Sequence, residues 1–222
     1  MDLACKAGKS LEIDVSIKPD GTIYVGHPLI HYKIHNLPAP NNLSLEKIME
    51  EADKANLLLA FDCKNILVLP TVEKAVKDYG AARSFLHAFV KELSLKPWPP
   101  KVMAMAEPSW ADEELPLEEM LKLKKSTGTP LWVSCHGITE ERLKSEGEQL
   151  VDKICGIATG VDVINLFVPK GDVVPLSVSE RIVANGFLPL VSVDRTPSEL
   201  WPAVFVGATD NLDSASDPKD FQ

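Results

Sequence analysis

Three features of the sequence point to one fold class. Short apolar runs of strand length alternate with segments of helical period along the whole chain, most of these runs are apolar on both faces, and polar residues sit at the carboxyl ends of many of them. Strands apolar on both faces and separated by single helices predict a parallel sheet covered on its outside. No glycine-rich phosphate loop follows any strand, and the polar strand ends are not gathered at one switch point. Both facts favour a (β/α)8 TIM barrel over an open doubly wound sheet. The expectation is therefore an α/β fold, a (β/α)8 TIM barrel with seven strands visible and so incomplete at the N-terminus. A single domain is expected over residues 1–212, with a polar tail at 213–222.

The elements follow in order. Leu11 to Pro28 (LEIDVSIKPDGTIYVGHP) reads as a hairpin, two apolar runs joined by a turn at Lys18-Pro19-Asp20-Gly21. Ser44 to Ala55 is a helix with Ser44 placed to cap it and Glu46, Glu50 and Glu51 on its wet face. Leu57 to Lys64 has strand length, Thr71 to Leu95 has helical period with a break near Gly80, and Lys101 to Glu107 is the next strand. A helix from about Pro116 to Ser126, a strand from Pro130 to His136, a helix from Thr139 to Cys155 and a strand from Val161 to Val168 continue the alternation. Ser177 to Ala184 is a helix opened by a capping box, Ser177 to Glu180, and Phe187 to Asp194 is a strand. A second capping box with proline at the first helical position, Thr196-Pro197-Ser198-Glu199, precedes the last strand, Val204 to Asp210.

Composition excludes several function classes. The chain has 222 residues, 45% hydrophobic and 25% charged, with a formal charge of -9. That charge argues against nucleic acid or an anionic membrane surface as main partner. No segment approaches the roughly 20 apolar residues of a membrane span. The first ten residues lack an apolar signal region, and Cys5, Cys63, Cys135 and Cys155 show neither CxxC nor zinc spacing, so reduced thiols in a cytoplasmic protein are expected. A signal peptide upstream of Met1 would change the localisation.

The chemistry starts at Glu12 and Asp14. Residues two apart on a strand point the same way, so these carboxylates project side by side from an apolar run. Buried together they need a shared proton, a basic partner or a divalent cation; on an exposed edge strand they need none. Asp62, on the next strand, adds a third oxygen near the same rim. Three carboxylates with room for water suit a hard cation, Mg2+ or Ca2+. Lys64 shares the face of Asp62 and suits an anionic substrate group, the alternative being an outward, solvated lysine. His27 ends the second run of the hairpin.

These residues carry a family resemblance. Leu11-Glu12-Ile13-Asp14-Val15, then Pro19-Asp20-Gly21-Thr22, then Val25-Gly26-His27, with His27 fifteen residues after Glu12, resembles the core of the glycerophosphodiester phosphodiesterase family. Asp62-Cys63-Lys64 is similar to that family's acid-x-lysine strand motif, with aspartate where glutamate is commoner. Thr209-Asp210 looks like its terminal T-D signature. The resemblance implies a TIM barrel that hydrolyses phosphodiesters, glycerophosphodiesters or related lipid-derived compounds, with one divalent metal. Glu12, Asp14 and Asp62 would correspond to the metal ligands, His27 to the acid that protonates the leaving alkoxide, and Lys64 to a residue facing the phosphate.

The pattern also departs from the family. The opening strand with its histidine-arginine-glycine motif and the later E-N-T have no counterpart, and Pro28 follows His27 where aspartate is usual. A missing strand would leave open edges on the strands bearing Glu12 and Asp210, through which the barrel could dimerise. His136, after a strand, is the internal candidate for a substitute base or a substrate contact at the rim. His87 is read as a helix residue at the surface or in packing, and His31 and His35 as loop residues over the mouth. Trp110 and Trp201 are read in loops or helix starts, in contact with a substrate or in packing, and Glu107 and Asp194 are rim candidates without an assigned role. The rival readings are a degenerate barrel that binds a phosphorylated ligand or partner without turnover, and an unrelated metal-dependent aldolase or isomerase.

Overall fold

The structure, a computed structural model, describes residues 10–27, 29, 32, 44–95, 114–168, 172, 174–192 and 206–208. It divides into two compact units, one from the described residues within Met1–Lys91 and Pro97–Leu131, the other from those within Glu92–Lys96 and Trp132–Gln222.

The first unit begins with the hairpin, β1 (Leu11–Ile17) and β2 (Ile23–Val25), antiparallel with Val15 opposite Val25. Its turn closes through Lys18 N to Thr22 O at 2.8 Å and Gly21 N to Lys18 O at 2.9 Å, and Asp20 Oδ1 accepts from Thr22 N. Gly21 takes φ 85°, the left-handed conformation that a side chain at this position would oppose. Helix α1 (Leu45–Lys54) is capped by Ser44, whose hydroxyl accepts from Lys47 N, and buries Leu45, Ile48 and Ala52 along one stripe. Strand β3 (Leu59–Cys63) returns parallel to β1, with Leu59 and Phe61 completely buried.

A short 3-10 turn (Ile66–Val68) leads into α2 (Leu69–Tyr79), which carries proline in its first turn and buries Leu69, Val72, Ala75, Val76 and Tyr79. The Tyr79 hydroxyl donates to Leu57 O at 2.7 Å and so ties the end of α2 to the entry of β3. Gly80, at φ 109°, ends the helix. After one 3-10 turn the chain enters β4 (Ser84–Phe89), parallel to β3. The helical reading of Thr71 to Leu95 is thus corrected: the helix stops at Tyr79 and a strand begins at Ser84. Helix α3 (Leu117–Thr127) completes the unit and ends on Gly128 in the left-handed conformation.

The second unit repeats the alternation. Strands β5 (Leu131–Cys135), β6 (Val163–Leu166), β7 (Leu188–Ser192) and β8 (Val206–Ala208) pair in parallel, in that order. Helix α4 (Glu140–Ile157), capped by Thr139, lies between β5 and β6 in the chain and is kinked at Gly147, which leaves helical geometry at φ 43°, ψ -122°. Helix α5 (Leu176–Ala184) joins it through a two-pronged ion pair of Arg181 on Asp152, both bonds at 2.7 Å. The capping box expected at Ser177 does not form. Pro175 occupies the cap position, already rigid and extended, so Ser177 lies inside the helix.

Among the described residues, seven strands therefore pair in parallel within their units and the short β2 alone runs against its neighbour, the α/β class expected from the sequence. The strand expected at Lys101 to Glu107, the capping box at Thr196, and His31, His35, Trp110, Trp201, Asp194, Thr209 and Asp210 lie outside the described residues. Among the described cysteines, Cys63, Cys135 and Cys155 are free and buried.

Candidate functional site

The parallel register of the first unit assembles the site. Asp14 on β1 stands level with Asp62 on β3, and Asp62 stands level with His87 on β4. Three neighbouring strands thus place three ionisable side chains in one row, and Glu12 projects from the same face of β1 two residues earlier. Lys64 follows directly after β3, its backbone held by Val15 O at 3.1 Å.

His87 is the centre of the row and is only 5% exposed. Its Nδ1 lies 3.1 Å from Glu12 Oε1 and 3.1 Å from Asp62 Oδ2. Lys64, 8% exposed, is not the solvated lysine of the alternative reading: its Nζ reaches Asp14 Oδ1 at 2.8 Å and forms an ion pair with Asp62 Oδ2. His27 completes the group with Nε2 3.4 Å from Asp14 Oδ2, and remains 41% exposed. It is placed by the end of the hairpin, where Gly26 N donates to Asp14 O at 2.9 Å, Ser16 Oγ donates to Gly26 O at 2.7 Å, and the Tyr24 hydroxyl donates to His27 O at 2.8 Å.

Charge balance sets the protonation states. Burial favours the neutral form of Asp62, but the charges of His87 and Lys64 outweigh it and hold the carboxyl well below its usual range. Burial likewise opposes a proton on His87, yet the charge of Asp62 and the hydrogen bonds to Asp62 and Glu12 push its pKa up to about 9. Cys63, between Asp62 and Lys64 in sequence, is buried and its thiol is pushed up by that burial and by the Asp62 charge, which makes it a poor nucleophile.

Of the residues expected at the site, the structure brings Glu12, Asp14, His27, Asp62 and Lys64 together around His87. His136 belongs to the second unit, at the end of β5, where its Nδ1 lies 3.3 Å from Ser94 Oγ. The ligand set differs from the expectation. Among the described residues, Glu12, Asp62 and His87 offer donor atoms within 4.8 Å of one another and form the group able to hold a metal ion, whereas Asp14 has a basic side chain on each oxygen. One observation of the geometry fits a cation here: Asp62 Oδ1 is buried and accepts no hydrogen bond. His87 escaped the sequence reading because its run was joined to the helix before it. The signal was present in Gly80 and in the aromatic, strand-length run Ser84-Phe85-Leu86-His87-Ala88-Phe89 beyond it.

No family model matches the chain, and no curated protein matches it in sequence. Solved structures do match. A glycerophosphodiester phosphodiesterase candidate from Galdieria sulphuraria superposes with a TM-score of 0.55 at 12% identity, over 94% of this chain and 84% of the other. The glycerophosphodiester phosphodiesterase of Agrobacterium tumefaciens str. C58 gives 0.51 at 14% identity, over 96% and 89%. An alpha-L-fucosidase candidate from Bacteroides thetaiotaomicron VPI-5482 gives 0.52 at 11% identity, over 94% and 77%. Identities this low establish the fold, that of TIM-barrel structures, and the fucosidase among them shows that one fold carries different chemistries.

Proposed function

We propose that this chain is a metal-assisted phosphodiester hydrolase acting on glycerophosphodiesters or related lipid-derived phosphodiesters. The observation that carries the reading is the convergence of Glu12, Asp62 and His87, able to hold a divalent cation, with Asp14, Lys64 just past β3 and His27 just past β2, on the adjacent strands β1, β3 and β4. A likeness in fold to two structures of the glycerophosphodiester phosphodiesterase type supports it.

Glu12, Asp62 and His87 would hold the ion, which when bound polarises a phosphoryl oxygen and neutralises charge that develops on it. Lys64 helps to keep Asp62 ionised, pairs with Asp14 and adds positive charge on the face where an anionic diester would bind. His27 is the exposed acid. Asp14 orients its imidazole; as a water oxygen bonds to phosphorus and the bond to the alkoxide breaks, the imidazole proton passes to the alkoxide and the proton that the water gives up restores it.

The test is release of glycerol 3-phosphate from glycerophosphocholine and glycerophosphoethanolamine with added divalent ion. Turnover by the native chain that falls in His27→Asn supports the reading. A second reading, a barrel that binds a phosphorylated ligand without turnover, has its own observation: Lys64, His27 and His87 give all three carboxylates basic partners from within the chain. Tight binding of glycerol 3-phosphate with no hydrolysis of either diester would select it.

A further inference from the structure

We infer that the centre formed by Glu12, Asp62 and His87 selects a first-row transition-metal dication, such as Mn2+, over Mg2+ and Ca2+, with His87 Nδ1 as a direct ligand. The inference rests on the reading of this site as a metal centre and specifies its ion.

Asp14 is the carboxylate that an all-oxygen site would need, and both of its oxygens are engaged, whereas Asp62 keeps its buried Oδ1 without a hydrogen-bond partner. Lys64 Nζ lies 2.8 Å from one Asp14 oxygen and His27 Nε2 lies 3.4 Å from the other. The third donor is instead an imidazole nitrogen. Mg2+ and Ca2+ are bound through oxygen, whereas imidazole suits the borderline ions of the transition series, and mixed nitrogen and carboxylate sets follow the order of affinity across that series.

Three further facts fit. Ligand atoms bound at about 2.1 Å lie roughly 3.0–3.4 Å apart along the edges of an octahedron or tetrahedron, and His87 Nδ1 stands 3.1 Å from Glu12 Oε1. Lys64 and His87 both take Asp62 Oδ2, which leaves the buried Oδ1 with lone pairs and no hydrogen-bond partner. Glu12, 43% exposed, gives an ion a way in from solvent.

The experiment titrates chelator-stripped full chain with MnCl2, MgCl2 and CaCl2 by calorimetry. The proton and nitrogen signals of the 15N-labelled histidine rings are followed in parallel. One Mn2+ per chain should bind more tightly than Mg2+ or Ca2+ by roughly tenfold or more, and Mn2+ should broaden the His87 ring signals of the native protein at substoichiometric addition. His87→Asn should lose roughly tenfold or more in Mn2+ affinity relative to the native chain. Equal affinity for Mg2+ and Mn2+, or unbroadened His87 signals at saturation, overturns the assignment, and the second readout needs no variant to fold. Hydrolysis of bis(p-nitrophenyl) phosphate is scored separately. Binding as described without hydrolysis removes the phosphodiesterase reading and leaves the centre standing. Hydrolysis that runs on Mg2+ and survives in His87→Asn does the reverse.

Discussion

His87 Nδ1 on β4 lies 3.1 Å from Asp62 Oδ2 on β3, at the same register level, with both side chains removed from solvent. Two buried groups of opposite charge stabilise the fold only while both are ionised, and this makes the metal-free protein sensitive to pH from both sides. The pKa of His87 is raised from 6.5 to about 9, so its contribution is complete below about pH 6.5 and disappears as pH rises through 9. The carboxyl of Asp62 is lowered, so its contribution is present above its ordinary 3.8 and fades as pH falls further. Urea unfolding in chelator should show stability falling between pH 6.5 and 9.5 by on the order of 3 kcal/mol. A flat profile over that window would mean that His87 is neutral in the folded state.

Lys64 is the other internal cation. Replacing it with methionine keeps the bulk of the side chain and leaves Asp62 and Asp14 without their shared partner. Removal of one member of a buried ion pair costs about 3–5 kcal/mol. Lys64→Met should therefore lower the urea midpoint strongly, and the double variant Lys64→Met, Asp62→Asn should recover part of the loss. A double variant less stable than the single one would show that Lys64 acts through packing of its stem.

His27 separates function from stability. It is 41% exposed, and its loss should shift the melting temperature little. Turnover of a glycerophosphodiester should drop roughly 10²- to 10⁴-fold in His27→Asn, the usual contribution of a general acid. The drop should appear in kcat with KM little changed, because the proton moves in the transition state.

Tyr79→Phe tests the frame behind the site. The lost hydroxyl donates to Leu57 O at 2.7 Å and accepts from Arg83 at 2.9 Å. Its removal leaves a carbonyl at the entry of β3 short of a donor and should cost about 1–3 kcal/mol in urea unfolding. Metal affinity at saturating native population should be unchanged.

Much of this was legible from residue pattern. The hairpin, the Ser44 cap and the carboxylates of Glu12, Asp14 and Asp62 follow from period-2 alternation and turn chemistry, which are local. The pairing of Asp14 with Asp62 needed only the assumption that successive strands are parallel neighbours. The partner of Lys64 was not legible, because a lysine two residues from an aspartate on one face can turn to solvent or lie back across the sheet. His87 was lost for a different reason. An apolar run after a helix extends the helical period by chance for several residues, and periodicity alone does not tell a buried strand from a buried helix. Only the break at Gly80 marks the change. The proline cap at Pro175 shows the same limit at smaller scale: Ser177 and Glu180 have the right spacing, but proline two residues earlier starts the helix first.

The row running from Asp14 through Asp62 to His87 spans strands far apart in the chain, and Glu12 and His87 are separated by 75 positions. No local turn or nascent helix can preassemble such a constellation, since its donors meet only after long loops have been closed and two parallel pairings are in place. A fragment that stops before Ser84 lacks His87 altogether. Ion uptake, followed in real time during refolding, would therefore time the docking of β4 onto β3 and report on chain topology where a spectroscopic signal from helix content would not.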